Sequence, residues 1–189
     1  MTENSYEYII KQKTEGKVLL RKAALIISYI LFPIMLAVLA VAFLPSEILL
    51  PIILLIIALT AFLVFVTWRF VCVEYEVIIG GGDIIFTTIY GKGFRKKLLS
   101  KSINSFSEIG EYDDRAFEAI SKISLQKNYI CLSSLAAESV YYAIFEEGKD
   151  QCILYFDAPE RAVELLKKSN WGAFRASAKR INDNNIGGI

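Results

Sequence analysis

Hydrophobic and polar positions follow two different rules along this chain. Residues 23–44 and 48–68 contain no charged side chain. As helices they extend roughly 33 Å and 32 Å, against a bilayer hydrocarbon thickness of about 30 Å. Only Pro45, Ser46 and Glu47 separate them, and so short a link forces an antiparallel helical hairpin. Pro33 lies within the first run and predicts a packing kink there. After Arg69 the period shortens to two. Val71, Val73, Tyr75, Val77 and Ile79 alternate with Cys72, Glu74 and Glu76, the signature of a strand with one buried face.

Gly80, Gly81, Gly82 and Asp83 end that strand, and Ile84 to Tyr90 reads as its hairpin partner. Gly91 to Gly93 form the next turn, into a strand over Arg95–Ser100. A further strand is predicted over Ile103–Ile109, a short helical turn over Asp113–Ser121 and a short strand over Tyr129–Leu132. Ser139–Glu147 and Gln151–Asp157 make a second hairpin about Gly148–Asp150. Asp157 and Glu160, with Pro159 between them, read as a capping box opening a helix to about Asn170. The pattern predicts a membrane α-helical hairpin plus an α+β, mostly β, domain of about seven antiparallel strands capped by a C-terminal helix. The boundaries follow: a leader over 1–22, the hairpin over 23–68, the domain over 69–172 and a flexible tail over 173–189. Ser5–Arg21 in the leader fits an interfacial helix or a short strand or helix packed on the domain.

Charge adds orientation. Lys11, Lys13, Lys17, Arg21 and Lys22 precede the first span and Arg69 follows the second, while the tip carries only Glu47. Under the positive-inside rule both termini are cytoplasmic. A cleaved signal peptide is not expected: the apolar run is too long, the leader holds Glu3, Glu7 and Glu15, and a second span follows. From Arg69 onward 16 Lys/Arg balance 16 Asp/Glu, so no global basic field argues for nucleic acid.

Composition then removes chemistry. The chain of 189 residues has no histidine, which excludes Ser-His-Asp and Cys-His nucleophile systems and HExxH sites. Cys72, Cys131 and Cys152 form no CxxC pair and no closed disulfide set. The glycine-rich turn matches neither phosphate-binding pattern. The acids from Glu108 to Asp114 lack EF-hand spacing and read as a solvated loop. No metal, cofactor or catalytic set is expected, and a non-enzymatic role follows. One local feature remains: Lys92, Arg95, Lys96, Lys97 and Lys101, with no acid between Gly91 and Lys101. Beside a bilayer such residues attract anionic headgroups at about 1 kcal/mol each. The alternative is a solvated strand paired with the domain's own acids.

The stretches VEYEVIIGGGDIIF, GKGFRKKLLS and VYYAIFEEGKDQCILYFDAPERAVELLKK resemble the pleckstrin-homology-like domains that bacteria attach to short membrane hairpins. The resemblance covers Phe70 to Lys168 and, with the spans, most of the chain. It implies a fold and a style of anchoring, with no catalytic or ligand residues. The expected function is a membrane-tethered interaction module binding anionic lipid or a protein partner. An accessory subunit of a larger membrane complex, assembled through the hairpin, is the alternative. Leu36→Arg, which sets a charge near the middle of the first span, is expected to cost roughly 2.5–3.5 kcal/mol of insertion free energy. Membrane-extracted yield should fall accordingly; unchanged yield would show that the span is misplaced.

Overall fold

A computed structural model describes residues 5–186 apart from 92, 135, 136 and 138, with the backbone alone for Lys17 and 184–186. The chain divides into two compact units. One comprises Lys13–Val73 and Tyr90–Phe94; the other takes the chain up to Gln12, Glu74–Ile89 and everything from Arg95 onward.

The first unit is built on α1 (Gly16–Phe43) and α2 (Ser46–Trp68), both long and apolar enough to cross a membrane. Helix α1 begins seven residues before the charge-free run, so Arg21 and Lys22 are helical, and it continues through Pro33. The less exposed positions fall three and four apart: Tyr29, Pro33, Leu36, Ala37 and Ala40 on α1, and Ile53, Ile56, Thr60, Val64 and Thr67 on α2. That spacing is one stripe per helix. Among the described residues one side-chain hydrogen bond joins the helices. The Thr67 hydroxyl donates to the Leu63 carbonyl at 2.6 Å, so its oxygen accepts from the Tyr29 hydroxyl. All other faces carry exposed large side chains such as Leu31, Val41, Leu54, Phe62 and Phe65.

The second unit holds two four-stranded sheets. The first, in order β1-β2-β3-β4, comprises β1 (Tyr6–Lys11), β2 (Val73–Gly80), β3 (Asp83–Tyr90) and β4 (Phe94–Ser102). Strand β1 comes from the leader and pairs antiparallel with β2, from Tyr6 opposite Ile79 to Lys11 opposite Glu74. The helical hairpin is thus inserted between two neighbouring strands of one sheet. Gly81 and Gly82, at φ +63° and +86°, close the β2–β3 turn, a conformation in which other residues are strained. The second sheet, in order β5-β7-β8-β6, comprises β5 (Phe106–Glu111), β6 (Lys127–Cys131), β7 (Val140–Glu147) and β8 (Asp150–Asp157). Its β6 runs parallel to β8, so the sheet is not wholly antiparallel.

The inward faces share one core, in which Val77, Phe86, Ile103, Phe145 and Phe156 are buried and α4 (Glu160–Ser169) adds Ala162, Val163 and Leu166. Strand β1 contributes Ile10, 4% exposed, and half-buried Tyr6 and Tyr8. The Tyr8 hydroxyl donates to the Asp157 carbonyl at 3.0 Å. Burial, reinforced by the Asp157 charge, raises the Tyr8 pKa and keeps that donor protonated. On the outer face of the second sheet, α3 (Asp114–Ser121) and α5 (Trp171–Ile186) cover Tyr142, Ile144 and Ile153.

Three expectations are corrected. Among the described residues the strands number eight, not about seven, because the leader supplies one. The tail expected to be flexible from 173 forms α5, since Ala173 and Ser177 are buried against the sheet. Asp157 does not cap α4. Its Oδ2 accepts from the Ser133 N–H at 2.8 Å, and the capping position falls on Pro159.

The pairing of Lys11 with Glu74 makes a direct test. Replacing residues 12–73 with Asn-Gly joins β1 to β2 through a two-residue hairpin turn. The shortened chain is expected to give a β-dominated circular dichroism spectrum and a cooperative melt. A chain begun at Glu74 lacks β1 and should melt at lower temperature. An unfolded Asn-Gly chain would contradict the insertion topology.

Candidate functional site

The basic cluster sits on β4, the last strand of the first sheet; among the described residues no strand lies beyond it. The strand is exposed from Phe94 to Leu98, and Leu99 fixes it by entering the core. The five cations do not act as one group. Arg95 Nη2 lies 3.1 Å from Glu76 Oε1 on β2, and that carboxylate is only 9% exposed against 62% for Arg95. A buried carboxylate needs such a partner, so Arg95 is committed in part to the fold. Lys101 is half-buried, with Nζ 4.0 Å from Glu147 Oε1 and 5.3 Å from the Phe145 ring centre. Glu147 also accepts from Lys127 Nζ at 3.0 Å and the Tyr129 hydroxyl at 3.1 Å. Those hydrogen bonds, from Lys127 first and Tyr129 next, hold its pKa below the usual carboxylate range.

Lys96 and Lys97 are exposed, and neither has an ion-pair partner among the described residues. Lys92 lies outside the described residues. The structure therefore brings Arg95, Lys96 and Lys97 together on one exposed strand and assigns Lys101 to a separate network with Glu147 and Lys127. Sequence reading misses Glu76. Its place in the alternation marks it as polar, but nothing local reveals that the β2-β3-β4 meander carries Arg95 back to it.

The acids from Glu108 to Asp114 do not form a loop: Glu108 and Glu111 lie on β5 and Asp113 and Asp114 open α3, with all but Glu108 exposed to solvent. Glu108 is buried on β5, where Arg180 of α5 binds it through Nε, at 2.7 Å and 2.9 Å from its two oxygens, and also through Nη2. Asp113 caps α3 by accepting the Ala116 N–H at 2.7 Å. Beside Glu108, Gly110 leaves room for the helix: a Cβ there would stand 2.1 Å from Ser177 Oγ, which is hydrogen-bonded to the Tyr142 hydroxyl at 2.7 Å. Glu108 and Asp113 thus build the fold. Burial pushes the Cys131 thiol up to about 12, so it stays protonated at neutral pH. Among the described residues no group of three metal-ligating side chains is placed to hold an ion.

No curated protein and no solved structure matches the chain. A family model described as a bacterial PH-like domain (DUF6106) matches residues 2–174. That span takes in β1, the inserted hairpin, both sheets and α4. The match and the two-sheet architecture agree with the resemblance drawn from the sequence: the chain belongs to the bacterial PH-like domain family.

Proposed function

We propose that this protein is a membrane-tethered, non-enzymatic interaction module whose β4 strand engages anionic lipid headgroups. The observation that carries the reading is the pair Lys96 and Lys97, exposed and unpaired among the described residues. They follow directly on a turn that belongs to the apolar helical unit. The membrane assignment rests on the helices. Only 6% of the apolar window of α1 and none of that of α2 is buried, which argues against a core helix of a soluble protein. Apolar surface on that scale is rarely left to water. Cleavage after α1 would remove β1, with its buried Ile10, from the sheet; this argues against a signal sequence.

The β1–β2 pairing favours emergence of both hairpin ends on one side of the bilayer, and the basic residues around them favour the cytoplasmic side. The absence of histidine and the protonated Cys131 support a role without catalysis. The second reading, an accessory subunit held through the hairpin, draws on a cleft of about 290 Å³ lined by Ser28, Pro33, Leu36 and Thr60. Against it, Ala37 and Ala40, the small residues suited to close helix contact, lie on the shielded stripe of the hairpin itself.

Reporters active only outside the cytoplasm, fused after Cys72 and at the C-terminus, should stay silent; activity at either would overturn the orientation. At low salt and high lipid concentration the Asn-Gly-spliced domain should sediment weakly with vesicles containing phosphatidylglycerol and not with pure phosphatidylcholine. Binding should weaken with salt, because the Debye length is about 10 Å at 0.1 M. Replacing Arg95, Lys96 and Lys97 with Gln should abolish it; equal binding by the triple variant would remove the lipid role.

A further inference from the structure

At the exit of α2 the chain gathers exposed aromatic rings around one cation. Trp68 is the last residue of the helix. The Phe70 N–H donates to the Thr67 carbonyl at 3.0 Å and the Val71 N–H to the Trp68 carbonyl at 3.1 Å, turning the chain sharply away. The β3–β4 turn is fastened to this corner through its backbone. The Gly91 N–H donates to the Cys72 carbonyl at 2.8 Å. Gly91 has φ +61°, and a Cβ on it would stand 3.1 Å from Arg69 Cβ, so the turn backbone lies directly against Arg69. The rings form a chain, Phe70 to Tyr90 at 5.9 Å and Tyr90 to Phe94 at 6.0 Å between centroids. The Arg69 guanidinium carbon lies 5.5 Å from the Phe70 ring centre and 5.7 Å from that of Phe94.

Phe70 and Phe94 nevertheless remain 52% and 48% exposed. We infer that this cluster is an interfacial anchor, with Phe70 and Phe94 inserted at the boundary of headgroups and acyl chains and Arg69 at the phosphates. The inference rests on the membrane reading proposed above. Three observations choose a bilayer as occupant over a protein. The cluster continues an apolar helix at its end, beside Trp68. Its rings are amphipathic in combination, apolar faces with a cation stacked on them, which suits the aromatic belt of a membrane interface. Finally, the next exposed side chains are cationic. Lys96 and Lys97 follow Phe94 by two and three residues, about 7–10 Å along a strand, within the reach of headgroup charge.

The test uses the full chain in proteoliposomes, with Trp68→Phe and Trp171→Phe removing the native indoles and Phe94→Trp supplying one probe. Its emission is expected to be blue-shifted and quenched by phospholipids brominated near the carbonyl end of the acyl chain. Bromines near the terminal methyl should quench it less, and acrylamide several-fold less than it quenches free tryptophan. Phe70→Trp in the same background should behave alike, which guards against a local failure at 94. Adding Gly91→Val, strained at that φ and crowded by Arg69, should release the 94 probe to acrylamide. Water-exposed emission from both probes, insensitive to brominated lipid, would overturn the anchor. Ile57→Trp, in mid-helix, separates the two ideas. If it is quenched by deep bromines while the 70 and 94 probes stay wet, only the anchor fails. If it is unquenched as well, the membrane reading fails and the anchor falls with it.

Discussion

The antiparallel pairing of Tyr6–Lys11 with Glu74–Ile79 joins the two parts of this chain that flank the helices. A strand of six residues has little stability alone. Here β1 gains it by burying Ile10, by stacking Tyr6 on Tyr8 at 5.6 Å, and by reaching the second sheet through the Tyr8 hydroxyl. The Arg161 guanidinium carbon, 5.2 Å from the Tyr6 ring centre, adds a contact from α4. With β1 in place the first sheet has its fourth strand, and both ends of the hairpin are fixed to neighbouring backbone. Without it β2 would be an exposed edge, open to pairing with other chains.

The second sheet depends on a different device. Its outer face is apolar around Tyr142, Ile144 and Ile153 and must be covered. Helix α5 covers it with the buried Ser177 and the partly buried Ile181. Polar bonds supply the specificity. Arg180 satisfies the buried Glu108, Ser177 meets the Tyr142 hydroxyl, and Asn170 Nδ2 donates to the carbonyls of Ile103 and Phe106 at 2.8 Å and 3.1 Å. Each of these buried groups would be costly left unpaired. The absence of a side chain at Gly110 lets the helix approach closely enough for all of them.

What could be read in the sequence is what neighbours along the chain decide. The two apolar helices follow from charge-free runs, the hairpins from glycine turns between alternating strands, and the helix after Pro159 from its apolar spacing. Strand β1 is legible only as one of several readings of the leader, because its partner begins more than sixty residues later and because lysines and an apolar helix beside it mimic an interfacial leader. Helix α5 escaped because Gly172 and the asparagines have weak helix propensity and because the small residues of its buried face resemble a polar tail. The basic strand was legible as a group of charges. Its internal division was not, since Glu76 and Glu147 reach it across the sheets.

That division bears on how weak an attraction can matter. Arg95 and Lys101 are partly spent on Glu76 and Glu147, which leaves Lys96 and Lys97 as the free charges described. Two lysines near an anionic surface contribute roughly 2 kcal/mol, enough only for weak binding by a freely diffusing domain, since even millimolar affinity corresponds to about 4 kcal/mol. A domain joined to its own anchor faces no such demand. Effective concentrations across short links reach the millimolar range, so a small bias is enough to choose one orientation over another. On the proposed reading, the β4 lysines govern how the domain sits at the surface, while residence there belongs to the helices. A neutral domain with one fixed basic edge suits that task better than a strongly cationic one, because it responds to the lipid beneath it without binding every anionic polymer in the cell.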